Sequence, residues 1–279
     1  MIQPIGLTHG HYECRSLDET LPIFTDLLAA RIVERSAGRA IVKHPNTGWL
    51  LVVHEGGPGA PDKPRENHYG FRVGRHQEID AAYEYIQARR EKYGIRAVTP
   101  PQAAHFAYSI FFAEPGGNHL EIEYYNPMGG KQGKSFAAPH WDAPLDEAQF
   151  AGRGYIPQAL SHGTIQCDDE TVSRRFYTET LGLEIVGGGK ASTYVKHPST
   201  PWYIVVLPAK ERRLLRPVNR FTLKVASPAA VAGARRELAA AGAKGGVTEI
   251  GEIDEEDGRC SFLFSDPDRN WWEIAAEVA

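Results

Sequence analysis

Three alternating stretches carry residues that could do chemistry together. Gly6-Leu7-Thr8-His9-Gly10-His11-Tyr12-Glu13-Cys14 sets Leu7, His9 and His11 on one face by its period of two, and Thr8 and Gly10 on the other. In Asn67–Val73, His68, Gly70 and Arg72 share a face. In His119-Leu120-Glu121-Ile122-Glu123, the two acids share a face opposite Leu120 and Ile122. Two histidines and one carboxylate, each from a different strand, are the stock of a facial-triad site. Such a triad occupies one face of an octahedral iron and leaves positions open for substrate and dioxygen. These residues are far apart in the chain, so only the fold can assemble them.

The elements that must do so are readable in outline. Residues 6–14 read as a strand. Asp18 to Leu28 has helical spacing, with Leu21, Phe24, Leu27 and Leu28 on one side and Ser16 or Asp18 as a cap. Residues 39–44 and 49–54 read as strands about the turn His44-Pro45-Asn46-Thr47-Gly48, and Gly56–Pro64 as a Gly/Pro-rich loop. Asn67–Val73 is a strand, Glu78–Tyr93 an amphipathic helix, and Tyr108–Ala113 and His119–Tyr124 are strands around Pro115-Gly116-Gly117-Asn118.

The second half repeats this plan. His9 recurs as His162, Cys14 as Cys167, Phe24 as Tyr177 and Trp49 as Trp202, all 153 residues on. Val42-Lys43-His44-Pro45 recurs as Val195-Lys196-His197-Pro198 at the same offset. Glu121 recurs as Glu273, one residue short of it. A shared tetrapeptide in register with single matches indicates a tandem duplication. The expected domains are 1–127 and 158–279, with 128–157 as a linker or a strap over the surface.

Bulk composition narrows the function. A length of 279 residues suits about two domains. The net charge of 31 − 35 = −4 has no nucleic-acid footprint. No apolar run approaches the roughly 18 residues of a membrane span, and Met1-Ile2-Gln3-Pro4 does not resemble a secretory signal. Cys14, Cys167 and Cys260 form neither a zinc spacing nor a disulfide framework, so a reducing cytoplasm is expected. Sheet edges and the long linker suggest a homo-oligomer.

Gly6-Leu7-Thr8-His9 with Leu17 and a helical Phe24, the Asn67–Val73 strand, and Glu114-Pro115-Gly116-Gly117-Asn118-His119-Leu120-Glu121 together resemble a vicinal oxygen chelate domain. That superfamily includes glyoxalases, bleomycin- and fosfomycin-resistance proteins and type I extradiol dioxygenases. The repeat extends the resemblance over nearly the whole chain. It implies an α+β fold: a tandem pair of domains, each of two βαβββ modules forming a curved sheet around a metal cavity. Two such domains in one chain resemble the extradiol dioxygenases.

Carried over residue by residue, the resemblance makes His9, His68 and Glu121 the metal ligands; Glu123 shares the Glu121 face by period, so one of the two is expected near the rim, and the spacing to Gly117 selects Glu121 as the ligand. A fourth ligand of the glyoxalase kind would fall at about Val52, which cannot coordinate. Three ligands suggest Fe(II), or Mn(II) or another divalent metal, with Zn(II) less favoured. In the second copy Arg220 stands where His68 does, so that copy is expected to be metal-free, with an Arg220–Glu273 ion pair in the space. His162 and Glu273 then read as relics. Phe111 and Trp49 hold places where extradiol enzymes carry Tyr and His, which leaves His54, His105 and Tyr108 as proton-transfer candidates. His11 reads as cavity wall or a satisfied polar residue, His44 and His197 as structural, Trp49 and Trp202 as core, and Lys210–Arg213 as a solvated loop. The expected function is Fe(II)-dependent cleavage of a catechol-like ring, with a small aromatic substrate and dioxygen as partners. The alternatives are a glyoxalase-like isomerase, lyase or transferase, or a non-catalytic binding or resistance protein.

Overall fold

A computed structural model describes residues 1–104, 107–125, 147–189, 192–256 and 258–278. His105 and most of the expected linker lie outside the described residues. The fold is α+β, and the order strand, helix, three strands occurs four times, with a short extra strand in the second and fourth, Gln102–Ala104 and Asp254–Glu256. The first module runs from Gly6–Cys14 through the helix Leu17–Pro22 to the strands Arg31–Ser36, Arg39–Lys43 and Leu50–Glu55. The second has His68–Arg72, the helix Gln77–Gln87, the short strand Ala97–Val98, Ala107–Ala113 and His119–Tyr125. The third and fourth repeat this from Ala159–Cys167 and from Arg220–Lys224. The helix expected over Asp18–Leu28 changes character at Pro22, which lacks the N–H an α-helix needs, and continues as a π-helical turn over Ile23–Leu27. Ser16 is its N-cap without a side-chain bond; Glu55 accepts the Leu17 N–H instead, at 2.7 Å. Among the described residues no helix is long and apolar enough to cross a membrane.

Contacts divide the chain into two compact units, one of Met1–His11 with Ile165–Ala279, the other of Tyr12–Thr164. This differs from a division into 1–127, 128–157 and 158–279. Each repeat's first strand pairs with the second half of the other repeat. Strand partners are chosen by distant surfaces, which local sequence patterns do not encode.

In the Tyr12–Thr164 unit, His68–Arg72 lies between two neighbours. It runs parallel to His119–Tyr125, with Gly70 opposite Glu121. It runs antiparallel to Ala159–Cys167, with Gly70 opposite His162. Ala107–Ala113 closes the row, antiparallel to His119–Tyr125, with Phe111 opposite Glu121. Alternation sends Tyr69 and Phe71 to the core, where Tyr12, Phe24 and Trp49 meet them ring to ring at 5.7–6.2 Å. The same alternation leaves His68, Gly70 and Arg72 on the other face.

The other unit repeats the arrangement. Gly6–Cys14 pairs antiparallel with Arg220–Lys224, which runs parallel to Trp271–Glu277. Phe221 and Tyr177 pack on the buried Trp272. Trp49 and Trp202 are core, as expected. His44 and His197 each hold a proline carbonyl, Pro157 and Pro4, through Nε2 at 3.0 Å. Arg212, expected in a solvated loop, is instead largely covered and paired with Asp168.

Candidate metal centre

On the Tyr12–Thr164 unit, three buried side chains converge: His68, Glu121 and His162. His68 Nε2 lies 3.2 Å and His162 Nε2 3.1 Å from Glu121 Oε2, and the two nitrogens are 3.4 Å apart. Each comes from a different strand, and the register explains the meeting. Glu121 and His162 are the two neighbours of Gly70, and the His162 ring lies over that glycine. A Cβ at Gly70 would run into the imidazole, so only glycine leaves room for it. A bulge between Leu160 and His162 turns the histidine onto this face.

The remaining polar atoms orient both rings. His68 Nδ1 donates to the Arg65 carbonyl at 2.6 Å, which turns Nε2 towards Glu121 and His162. His162 Nδ1 faces Glu123 Oε1 at 3.4 Å. Glu123 is held in turn by Arg72 at 2.7 Å and by the Ser161 hydroxyl at 2.8 Å. Thr164 Oγ1 lies 3.2 Å from His68 Nε2, and Phe111 meets the His68 ring edge-on at 5.0 Å.

Burial pushes the His162 imidazole down. The charge of Glu123 and hydrogen bonds to both acids more than reverse this and raise it to about 9. Burial pushes the Glu121 carboxyl up, but hydrogen bonds to His162 and His68 bring it down to about 2. Glu123 is lowered as well: Arg72 and His162 outweigh burial. The cluster therefore holds Glu121 and Glu123 ionised with His162 protonated.

This donor set fits a divalent metal. With bonds of about 2.1 Å, adjacent ligand atoms of an octahedral ion stand about 3.0 Å apart, close to the spacings between the three groups here. An imidazole whose far nitrogen is held by a carboxylate is the usual support of a metal-binding histidine.

The structure unites two of the three expected ligands and replaces the third. His9 lies in the other unit, opposite Thr222, with Nδ1 2.9 Å from Thr8 Oγ1. His162, which reads as a relic in the sequence, stands in its place. The exchange of first strands is the cause: His162 and His9 are equivalent in the repeat, and each serves the other repeat's second half. One signal for this was present in the sequence. The residue that must clear the ring is Gly70 beside His162 but Thr222 beside His9. Glu123, expected near the rim, is buried behind His162.

The proton-transfer candidates fare differently. Tyr108 faces away from Glu121: it stands opposite Tyr124, stacks on His76 and donates to Asp80 at 2.8 Å. His54 lies on Leu50–Glu55 opposite Arg39, not on the strands that carry the triad. His105 is outside the described residues. His119, which no sequence pattern singled out, shares the Glu121 face and stands opposite His68 in register.

In the other unit, Glu273 Oε2 accepts from Thr222 at 2.6 Å and Arg259 at 2.7 Å, with Arg220 at 3.5 Å. The Arg220–Glu273 pair is thus present. His11 lies 2.9 Å from Thr222 Oγ1, a satisfied polar residue.

A family model for the glyoxalase/bleomycin resistance protein/dioxygenase superfamily matches residues 7–122. Among solved structures, a candidate dioxygenase from Bacillus subtilis subsp. subtilis str. 168 aligns over 100% of this chain and 87% of its own, at 14% identity and a TM-score of 0.66. Glyoxalase I from Zea mays aligns over 97% of this chain and 92% of its own, at 14% identity and a TM-score of 0.63. At these identities the likeness is one of fold. No curated protein matches the sequence. Residues 7–122 thus belong to the glyoxalase/bleomycin resistance protein/dioxygenase superfamily, and the same order of strands and helices recurs in the rest of the chain.

Proposed function

We propose that the chain is an Fe(II)-dependent extradiol-type dioxygenase acting on a catechol-like aromatic in a reducing cytoplasm. The observation that carries this reading is the triad itself. Two imidazoles and one carboxylate converge on one face, and among the described residues no fourth His, Cys, Asp or Glu joins them. That set leaves positions for two substrate oxygens and dioxygen. When bound, the iron supplies the Lewis-acid and electron-transfer chemistry that lets a catecholate react with dioxygen.

The chain's own residues do the rest. His68, His162 and Glu121 hold the ion, and Glu123 with Arg72 keeps the His162 ring in place. Phe111 lays an apolar wall beside His68, suited to an aromatic ring and to the exclusion of water. His119, on the triad face, and the Thr164 hydroxyl take over from Tyr108 as the groups within reach of a substrate proton.

The test is anaerobic loading with Fe(II) or Mn(II), followed by a catechol panel in the presence of oxygen. Stoichiometric oxygen uptake with a yellow ring-fission product is expected. No uptake with any catechol in metal-loaded protein would refute the dioxygenase reading. Isomerisation of a glyoxalase substrate without oxygen uptake would assign the site to that branch of the superfamily.

A further inference from the structure

The two repeats differ where the turn after the long helix meets the π-helical turn. In the first repeat Tyr93 fills this place. It is 8% exposed, its hydroxyl donates to Asp26 at 3.3 Å, and Lys92 Nζ donates to its oxygen at 3.1 Å. Gly94 follows in a left-handed conformation against Pro115. In the second repeat, 152 residues on, Gly246 has the same conformation against Pro267 and Phe176. The flanking pairs Ile86/Leu238 and Ile95/Val247 are buried alike, which fixes the alignment.

In this register Gly245 stands in place of Tyr93, so the ring is missing. A cavity of about 320 Å³ lies there, lined by Val172, Phe176, Glu179, Lys244, Gly245 and Pro267 among others. Both polar partners of the lost hydroxyl are kept: Glu179 stands for Asp26 and Lys244 for Lys92. A Cβ on Gly245 would press on Ala241, so the chain cannot refill the space from this position without moving the helix end. Glu179 meets Arg175 in a long, exposed contact at 3.9 Å, a pairing too weak to hold it from a ligand.

We propose that this cavity is a binding site for a small phenol. The phenol's ring occupies the space that the Tyr93 ring fills in the first repeat. Its hydroxyl donates to Glu179 and accepts from Lys244. Apolar contact with Val172, Phe176 and Pro267 drives binding, and the hydroxyl pair sets the orientation. The site uses none of the triad residues and does not depend on the reaction proposed for them.

The test is titration of the full chain with p-cresol, followed by protein-observed NMR, with and without metal. Saturable shifts are expected at the amides of residues 172–180 and 243–248, at a Kd of roughly millimolar for a ligand of about eight non-hydrogen atoms. Toluene, the same ring without the hydroxyl, is expected to bind about tenfold more weakly. Val172→Trp, at an exposed position on the rim, fills the mouth and abolishes the shifts, and Glu179→Gln weakens them severalfold. Absence of saturable shifts at these amides, equal binding of toluene, or full affinity in Val172→Trp would each overturn the proposal.

Discussion

Gly70→Ala tests the candidate metal centre at one atom. The added Cβ would stand 2.5 Å from His162 Nδ1. Ordinary contacts of this kind are about 3.5 Å, and the ring's Cε1 would be nearer still, so the ring must retreat by more than about 1 Å. Metal–ligand distances tolerate only about 0.2 Å, so His162 Nε2 leaves the coordination sphere and two ligands remain. A loss of about 100-fold in metal affinity follows, or about 2.8 kcal/mol. The metal-free fold changes less. Alanine suits a strand better than glycine by about 0.5–1 kcal/mol, against an overpacking cost of about 1–3 kcal/mol. The assay is competitive chelator titration under argon with Fe(II) and Mn(II), alongside thermal unfolding of the metal-free protein. Metal affinity within about threefold of the parent, in a folded variant, would refute the placement of His162 over Gly70 as a ligand.

Four further outcomes follow from the same geometry. His162→Ala lowers metal affinity about 100-fold or more, while His9→Ala leaves it within about twofold, as read by metal content after dialysis; the reverse result would restore the ligand set read from the sequence. Metal must displace the His162 proton, so affinity rises about tenfold per pH unit from neutrality towards about 9 and then levels. In the metal-free protein the raised His162 pKa adds stability that is full below 6.5 and lost as pH rises through about 9, and the lowered Glu121 pKa adds stability that is full above 4.5 and lost as pH falls through about 2; thermal unfolding across pH reads both. Glu123→Gln removes the charge behind His162, weakening metal binding by about 10–100-fold and lowering the unfolding temperature, because Arg72 keeps its buried charge without that carboxylate.

Much of this site is legible in the amino-acid sequence alone. Period-two alternation places His68, Gly70 and Arg72 on one face and Glu121 with Glu123 on another, and the two faces lie side by side at the candidate site. The 153-residue offset exposes the duplication. Two things are not legible there. One is which first strand pairs with which second half: His9 and His162 carry the same local pattern, and only long-range packing distinguishes them. The other is the facing of Tyr108, whose proximity to the motif in sequence conceals its parity. It is three residues from Phe111, so it points to the opposite face, at Asp80 and His76.

The same parity explains why the second site is not one substitution away from binding metal. Glu273 repeats Glu121, and a buried carboxylate needs positive charge around it. In the Tyr12–Thr164 unit the His162 imidazolium supplies that charge, and a divalent ion can replace its proton. In the other unit Arg220 and Arg259 supply it permanently, since guanidinium does not lose its proton. Thr222 adds its hydroxyl to Glu273 and puts a Cβ where Gly70 has none, beneath the position His9 must take. Arg220→His alone therefore leaves Arg259 on the carboxylate and the His9 ring blocked, and no second metal is expected in chelator titration. The triple variant Arg220→His, Thr222→Gly, Arg259→Ala frees the carboxylate, clears the ring and supplies the missing imidazole, and is expected to raise the stoichiometry from one metal to two. A second metal bound by Arg220→His alone would show that neither the Thr222 side chain nor Arg259 is what closes that site.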